Sequence, residues 1–413
     1  MFRNEETKMA HFLVVSLIAM LFSLPSESKK LLSFRIYKWK TIAVPKTQLI
    51  SFIIIFLFMA LRYEFGNDYI NHRFIHSDIQ HGYISNWHRM NFLFVFANII
   101  ITNFYWFIAI LSFCYLIAFH SLIRRNLKSN QYWFALLLLL INPSLFLIHL
   151  SAIRQALAIC IFIFAVYVSQ KKFRLFPRDK KINYQKNLIG FSVIFENETF
   201  RIQKNNTKIT FTYSNIINFI LYTALIILAT GMHTSAALLL PFYLILNQKK
   251  VSKISKILIC LFIILMLFTP LSRIMITTAL NFFPQYEDYF SSGEGLDFGL
   301  GAIINTLFFF LLIFLNINKL AEKQRVYGKL YLTAITLTFI ARVAPMITRV
   351  GMYFDVFIII ALPMVFSKMK KGYTRSLAFA VMILIYIARL HAFYTNPMWE
   401  SFWEYRTIFT HPS

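Results

Sequence analysis

The sequence predicts an all-α fold, a polytopic integral membrane protein of about twelve transmembrane helices with both termini outside. Three observations predict it. The chain is 58% hydrophobic, carries 46 phenylalanines and has only 14% charged residues, so runs such as 134–141 and 306–315 are too apolar and too numerous for one soluble core. The alternating segments of an outer-membrane barrel are missing. The basic residues stand in short blocks between the apolar runs, the distribution of a membrane protein's cytoplasmic loops, so a net charge of +25 does not point to nucleic acid.

Taken in order, the helices are predicted near 10–24, 48–62, 104–120, 132–150, 153–170, 215–231, 233–247, 256–276, 299–317, 330–346, 350–366 and 375–391. The first lacks a strongly basic start and a small-residue cleavage site, and is read as a retained helix. The apolar piece 91–101 is too short to span and reads as interfacial or re-entrant. The loops 25–47, 121–131, 171–214, 248–255, 318–329 and 367–374, with their flanking helix ends, hold 31 of the 42 lysines and arginines. They alternate along the chain, which places them together in the cytoplasm. The basic insertion 171–214 is polar, with short strands expected around 191–211. Cys114, Cys160 and Cys260 lie singly in apolar segments and read as packing residues.

The outer side keeps Lys8 and ten arginines. Arginine's planar fork suits phosphate, and the depth of these residues repeats. From Arg154 to Lys171, Arg62 back to Lys46, His233 to Lys249 and Arg349 to Lys368, a helix rises about 24–28 Å, so each residue reaches the outer interface from a different helix. Arg342 lies somewhat deeper, beside Pro345. The set describes an outward mouth for a phosphate or pyrophosphate at headgroup level, against the plain alternative of arginines that snorkel. His233 suits a general base. Asp68, in the turn Gly66-Asn67-Asp68-Tyr69, suits orienting an arginine or accepting a hydroxyl proton. Asp68, His72 and His76 share one face at i, i+4 and i+8, but match no fixed ligand motif, and no metal is expected. Three outward regions offer room for chemistry: 62–90, the acidic aromatic loop 281–299, and the tail 391–413. The acidic loop suits carbohydrate, its rings stacking on sugar faces. No nucleotide-binding motif is present.

Four segments carry a family resemblance. Ala60-Leu-Arg62-Tyr-Glu-Phe-Gly66-Asn-Asp68-Tyr69 resembles the LRY-x-x-G-x-DY signature of EpsG-type proteins, Wzy-like polymerases of bacterial surface polysaccharides. Ser151-Ala-Ile-Arg154-Gln155-Ala-Leu-Ala158 resembles their S-x-x-RQ-x-LA segment, His233-Thr-Ser235-Ala236 their H-x-S-A helix start, and Arg349 to Phe354 with Pro363 their late R-x-x-x-YF…P helix. Arg89-Met90 stands where the family often has a glutamate, and the insertion 174–214 is longer than the family leads one to expect. The resemblance implies a glycosyltransferase of the bacterial inner membrane, with periplasmic termini and a periplasmic site. It would join oligosaccharide repeat units carried on undecaprenyl pyrophosphate. Its implied partners are that lipid-linked oligosaccharide, the bilayer and, at the level of the family, a chain-length regulator. No cofactor is implied, because the donor already holds the activated bond. Arg154, Arg349 and Arg62 would stabilise the pyrophosphate, His233 would act as base with Asp68 as the alternative, and Gln155, Arg342, Tyr69 and Tyr353 would line the substrate site. A flippase of lipid-linked oligosaccharide and an O-antigen ligase are the competing readings.

Overall fold

The computed structural model describes residues 10–24, 31–36, 39–84, 91–171, 183–188, 191–196, 199–204, 207–246, 300–341 and 347–410, with four isolated positions between 251 and 299. The predicted helix 256–276, the acidic loop 281–299 and Arg342 lie outside the described residues.

Helix α1 (Ala10–Ser23) is followed by a hairpin of β1 (Leu31–Ile36) and β2 (Trp39–Pro45), and by α2 (Lys46–Ala60). The hydroxyl of Ser51 donates to the Ala19 carbonyl at 2.7 Å and ties α2 to α1. A two-residue strand, β3 (Arg62–Tyr63), leads to α3 (Tyr69–Gln80) and α4 (Phe92–Ile100). Helix α3 buries one face, Tyr69, His72, His76 and Ile79. With 9 residues, α4 rises only about 13 Å, too little to cross a bilayer, in keeping with an interfacial piece.

The long helix α5 (Phe104–Asn126) starts where the Asn103 side chain accepts from the amides of Tyr105 and Trp106, and it ends with Arg124 and Arg125 in its last turn. The predicted helix 132–150 is two pieces, α6 (Tyr132–Ile141) and α7 (Leu147–Ser151). Asn142-Pro143 divides them, since proline removes a donor and disfavours helix in the residue before it. Helix α8 (Ile153–Ser169) follows. Strands β4 (Asn183–Leu188), β5 (Phe191–Glu196), β6 (Thr199–Lys204) and β7 (Thr207–Thr212) then form an antiparallel meander inside the basic insertion, and with the β1–β2 hairpin depart from the all-α expectation.

Helix α9 (Tyr213–Met232) packs along α8. The segment predicted as helix 233–247 is mostly 3₁₀ (Thr234–Phe242), with Pro241 inside it, before the single turn α10 (Tyr243–Leu246). After α11 (Leu300–Asn316) and α12 (Glu322–Ala341), the predicted helix 350–366 is a pair, α13 (Ile347–Asp355) and α14 (Ile358–Lys368), bent by 49°. Helix α15 (Tyr373–Thr395), a 3₁₀ turn (Pro397–Phe402) and β8 (Arg406–Thr407) complete the chain.

The burial pattern is that of a protein in lipid. Helix α14 is buried all round, from Ile358 to Phe366, and forms the centre of the bundle. The outer helices turn large apolar side chains outward: Leu17 and Leu21 on α1, Trp106 and Phe113 on α5, Leu384 and Ile387 on α15. Among the described residues, Phe104–Asn126, Asn215–Met232 and Tyr373–Thr395 are long and apolar enough to cross a membrane, and the bent pair adds a fourth span if counted as one. The remaining apolar helices are shorter. The chain is a helical membrane protein.

Candidate functional site

The end of α2, the start of α5, the start of α8, the end of α9 and the start of α13 meet at one end of the bundle, and this brings the four motif segments together. The turn after α2 comes first. Gly66 has φ +113°, a conformation that favours glycine, and a Cβ there would sit 3.3 Å from the Cα of Ser151. The glycine therefore lets the turn rest directly on Ser151. The Ser151 hydroxyl accepts from the Asp68 amide at 2.9 Å and donates to Asp68 Oδ2 at 3.1 Å. His72 Nε2 donates to the Ser151 carbonyl at 3.1 Å. Ser151 is thus held on both sides, and Arg154 stands one turn further on. Gly66→Ala is expected to cost about 1–3 kcal/mol in strain and crowding, read as a lower Tm and a proportionate loss of activity.

Arg154 is half-buried, its guanidinium 5.7 Å above the Phe94 ring, with Asp68 and Arg349 as charged neighbours. Gln155 is buried and donates through Nε2 to the Arg349 carbonyl at 2.6 Å, joining α8 to α13. Arg349 itself is exposed. His233 follows the last turn of α9, and Gly231 just before it is packed against Phe92: a Cβ there would lie 2.5 Å from the ring. His233 Nδ1 pairs with the Ser235 hydroxyl at 2.7 Å, and that hydroxyl pairs with the Tyr353 hydroxyl at 3.2 Å. With the proton on Nδ1 and donated to Ser235, Nε2 keeps a lone pair for a substrate proton. Burial, aided by the positive charges of Arg154 and Arg349, pushes the His233 pKa down from 6.5 to about 4. His72 is likewise lowered to about 4, by burial first and Arg154 second.

Arg62 and Tyr69 stand behind this group. Arg62 is 2% exposed, and its guanidinium is taken up by the Met59 carbonyl, by Ser112 Oγ at 3.2 Å and by the Leu150 carbonyl at 3.2 Å. Tyr69 is fully buried and donates to the Arg62 carbonyl at 3.2 Å. The two fix the turn and the approach to Ser151 from beneath. Tyr353 is buried and reaches the site through Ser235. His76 pairs with Asn98 Oδ1 at 2.8 Å and the Thr102 carbonyl at 3.0 Å, away from Asp68.

The C-terminal tail closes over the same turn. β8 pairs with β3, the Gly66 amide donates to the Ser401 carbonyl at 3.3 Å, and Asn67 Nδ2 donates to the Met398 carbonyl at 2.9 Å. Tyr405 stacks on Phe58 with ring centres 4.3 Å apart. Sequence reasoning gave no role to Ser151, Ser235, His72 or Phe94. Ser151 and Ser235 are the polar letters of two motifs, and that was the signal available for them.

The fold and this end of the bundle define a class: a membrane protein with two arginines, a histidine and a carboxylate gathered from separate segments of the chain. The EpsG family model matches residues 47–176 and 209–407, most of the chain, and the protein belongs to the EpsG family. It is thereby a membrane protein of polysaccharide-polymerase-like type. The unmatched residues 177–208 cover most of the β4–β7 meander. No curated relative and no solved structure matches the chain.

Proposed function

We propose that the protein is a polymerase of O-antigen or another surface polysaccharide, a glycosyltransferase that joins undecaprenyl-pyrophosphate-linked repeat units at the periplasmic face of the bacterial inner membrane. One observation carries the proposal: Arg154, Arg349, His233 and Asp68, from four segments of the chain, share one electrostatic neighbourhood at one end of the bundle. Such a site suits a reaction that must hold a pyrophosphate and take a proton from a hydroxyl.

In the proposed reaction, Nε2 of His233 removes the proton from an acceptor sugar hydroxyl. The hydroxyl oxygen bonds to the anomeric carbon of the donor chain, and the carbon–oxygen bond to the pyrophosphate breaks. Arg154 and Arg349 stabilise the negative charge that grows on the departing undecaprenyl pyrophosphate. Asp68 offsets part of the like-charge repulsion between the two arginines and aligns Arg154, and remains the alternative base. The Ser235–Tyr353 pair holds the His233 ring in orientation. Gln155 sets the position of Arg349, and Arg342 is the further arginine proposed for the donor. Arg62 and Tyr69 act by positioning. A chain-length regulator is the proposed protein partner.

A flippase would need its charged residues accessible from both sides near the bilayer midplane. The gathering of this set at one end favours a transferase. A ligase shares the chemistry, and products separate the two. A strain lacking the protein is expected to carry single repeats on its lipid core, restored to a ladder by the intact gene. Absence of any repeat on the core in that strain would overturn the polymerase reading in favour of a ligase or flippase.

The proposal includes about twelve spans and periplasmic termini, because the basic loops alternate along the sequence between the apolar segments. A reporter inserted within 176–205 is expected to be active only in the cytoplasm, and one at the C-terminus only outside. The reverse pattern would turn the site to the cytoplasm and end the proposal.

A further inference from the structure

The opposite end of the bundle carries a cavity that the proposed reaction does not use. It lies at the turn between α5 and α6, has a volume of about 150 Å³, and is lined by Ile123, Arg124, Leu127, Lys128, Ser129 and Tyr132. The lining holds two cations, a hydroxyl and a phenol and, among the described residues, no carboxylate. Arg124 is 21 residues from the site end of α5 at Asn103, so the cavity is about 31 Å from that end along the helix.

The cavity is built rather than incidental. Gln48, in the first turn of α2, is 3% exposed, although a glutamine at a helix start has no need of burial. Its Oε1 accepts from Arg124 Nη1 at 2.7 Å and its Nε2 donates to Ser129 Oγ at 3.4 Å, so one buried amide orients two of the lining side chains. Gln131 fixes the turn from the other side: its Nε2 donates to the Pro363 carbonyl of the central helix α14 at 3.1 Å, and its Oε1 accepts from the Lys128 amide at 3.3 Å. Tyr132 is held by His120, whose Nδ1 lies 3.0 Å from the phenol oxygen. Arg124 and Ser129 are therefore oriented in advance and the backbone at Lys128 is fixed, which lowers the ordering cost of binding an anion.

We propose that this cavity binds the phosphate of an anionic ligand, with Arg124 and Lys128 as the charged donors and Ser129 as the neutral one. A guanidinium fork beside an ammonium matches the two or more anionic oxygens of a phosphate. Ile123 and Leu127 supply an apolar wall to the same cavity, which suits a phosphate attached to an acyl chain, as in a lipid headgroup, more than a free ion.

The test uses the purified full-length protein in detergent and follows Tm. Dioctanoyl phosphatidylglycerol is expected to raise Tm with concentration, and dioctanoylglycerol, which has no phosphate, is expected not to. The double variant Arg124→Gln/Lys128→Gln should lose the rise. Gln48→Leu, which keeps both charges but removes the Gln48 hydrogen bonds to Arg124 and Ser129, should need several-fold more lipid for the same rise. Sodium phosphate in place of the lipid distinguishes the two sources: an equal rise would keep the phosphate site and assign it to the free ion. A control variant, Lys370→Gln/Lys371→Gln, removes two exposed charges at the same end of the bundle. If the control loses the rise as fully as the cavity variant, or if the cavity variant responds like the intact protein, the proposal is overturned. Should the double variant not fold, Lys128→Gln alone, at an exposed position, must weaken the response for the proposal to stand.

Discussion

Replacing Arg154 by lysine is expected to leave mostly single-repeat product where the intact protein makes a long ladder, at unchanged expression. Lysine keeps one positive charge and a flexible stem, so it would serve as well as arginine in a residue that merely anchors a helix end at the headgroups. It loses the planar fork and the paired hydrogen bonds to a pyrophosphate. Removal of one transition-state donor costs about 10²–10³ in rate. The surroundings make the loss specific: Arg154 is half-buried, lies over Phe94, and has Asp68 and Arg349 as charged neighbours. Arg154→Ala should be at least as severe. Gln155→Ala should be milder, because Gln155 acts by holding the Arg349 backbone. A normal ladder from the lysine variant would return Arg154 to the role of anchor and remove the central support of the site.

The second large effect is expected at His233. A general base contributes typically 10²–10⁴ in rate, so His233→Ala should lower turnover by about that factor while the protein remains in the membrane. The pH profile adds a separate reading. Burial and the neighbouring arginines lower the His233 pKa from 6.5 to about 4, so the neutral base persists into acid. At pH 5.5 an ordinary histidine would be roughly one-tenth neutral, whereas this one is almost wholly so. The acid limb of activity should accordingly lie nearer pH 4 than 6.5. The same shift bears on stability. For His233 and His72 the folded pKa is depressed below the unfolded value, so the unfolded chain binds more protons between them. Stability is then fully present above about pH 6.5 and falls as pH drops toward 4. An acid limb centred at 6.5 would place the titrating histidine in open solvent and dismiss this geometry. Full activity of His233→Ala would move the base to Asp68.

The places of the helices were legible because long apolar runs bounded by basic blocks admit little else in lipid. Their continuity was less so. Asn142-Pro143 and Pro241 stand in the sequence at an actual break and an actual 3₁₀ stretch, yet each segment was expected as one helix because its apolar run is unbroken. The bend between Asp355 and Ile358 has no proline at it, and nothing local marks it. Counting residues from the lysine blocks put Arg62, Arg154, His233 and Arg349 at one level, and the structure makes Arg154, His233 and Arg349 neighbours. Direction around the helix was not legible. Arg62 counts to the same depth as Arg154, but its side chain turns into the bundle, toward the Met59 carbonyl three residues back and the Leu150 carbonyl 88 residues on, and the second contact is between residues far apart in the chain. The pairing of Ser151 with Asp68 across 83 residues is of the same kind. No spacing rule reaches such pairs, although the short motifs hold both partners.

The most direct measurement is a reaction of purified components. The protein, in bilayers or detergent, is given undecaprenyl-pyrophosphate-linked repeat units as the sole substrate, with no nucleotide sugar and no other protein. The expected result is a ladder of lengthened lipid-linked chains, with one undecaprenyl pyrophosphate released for each bond formed and with the ladder lost in Arg154→Lys. No ladder from correctly folded protein, or a ladder that forms only when a nucleotide sugar is supplied, would contradict it.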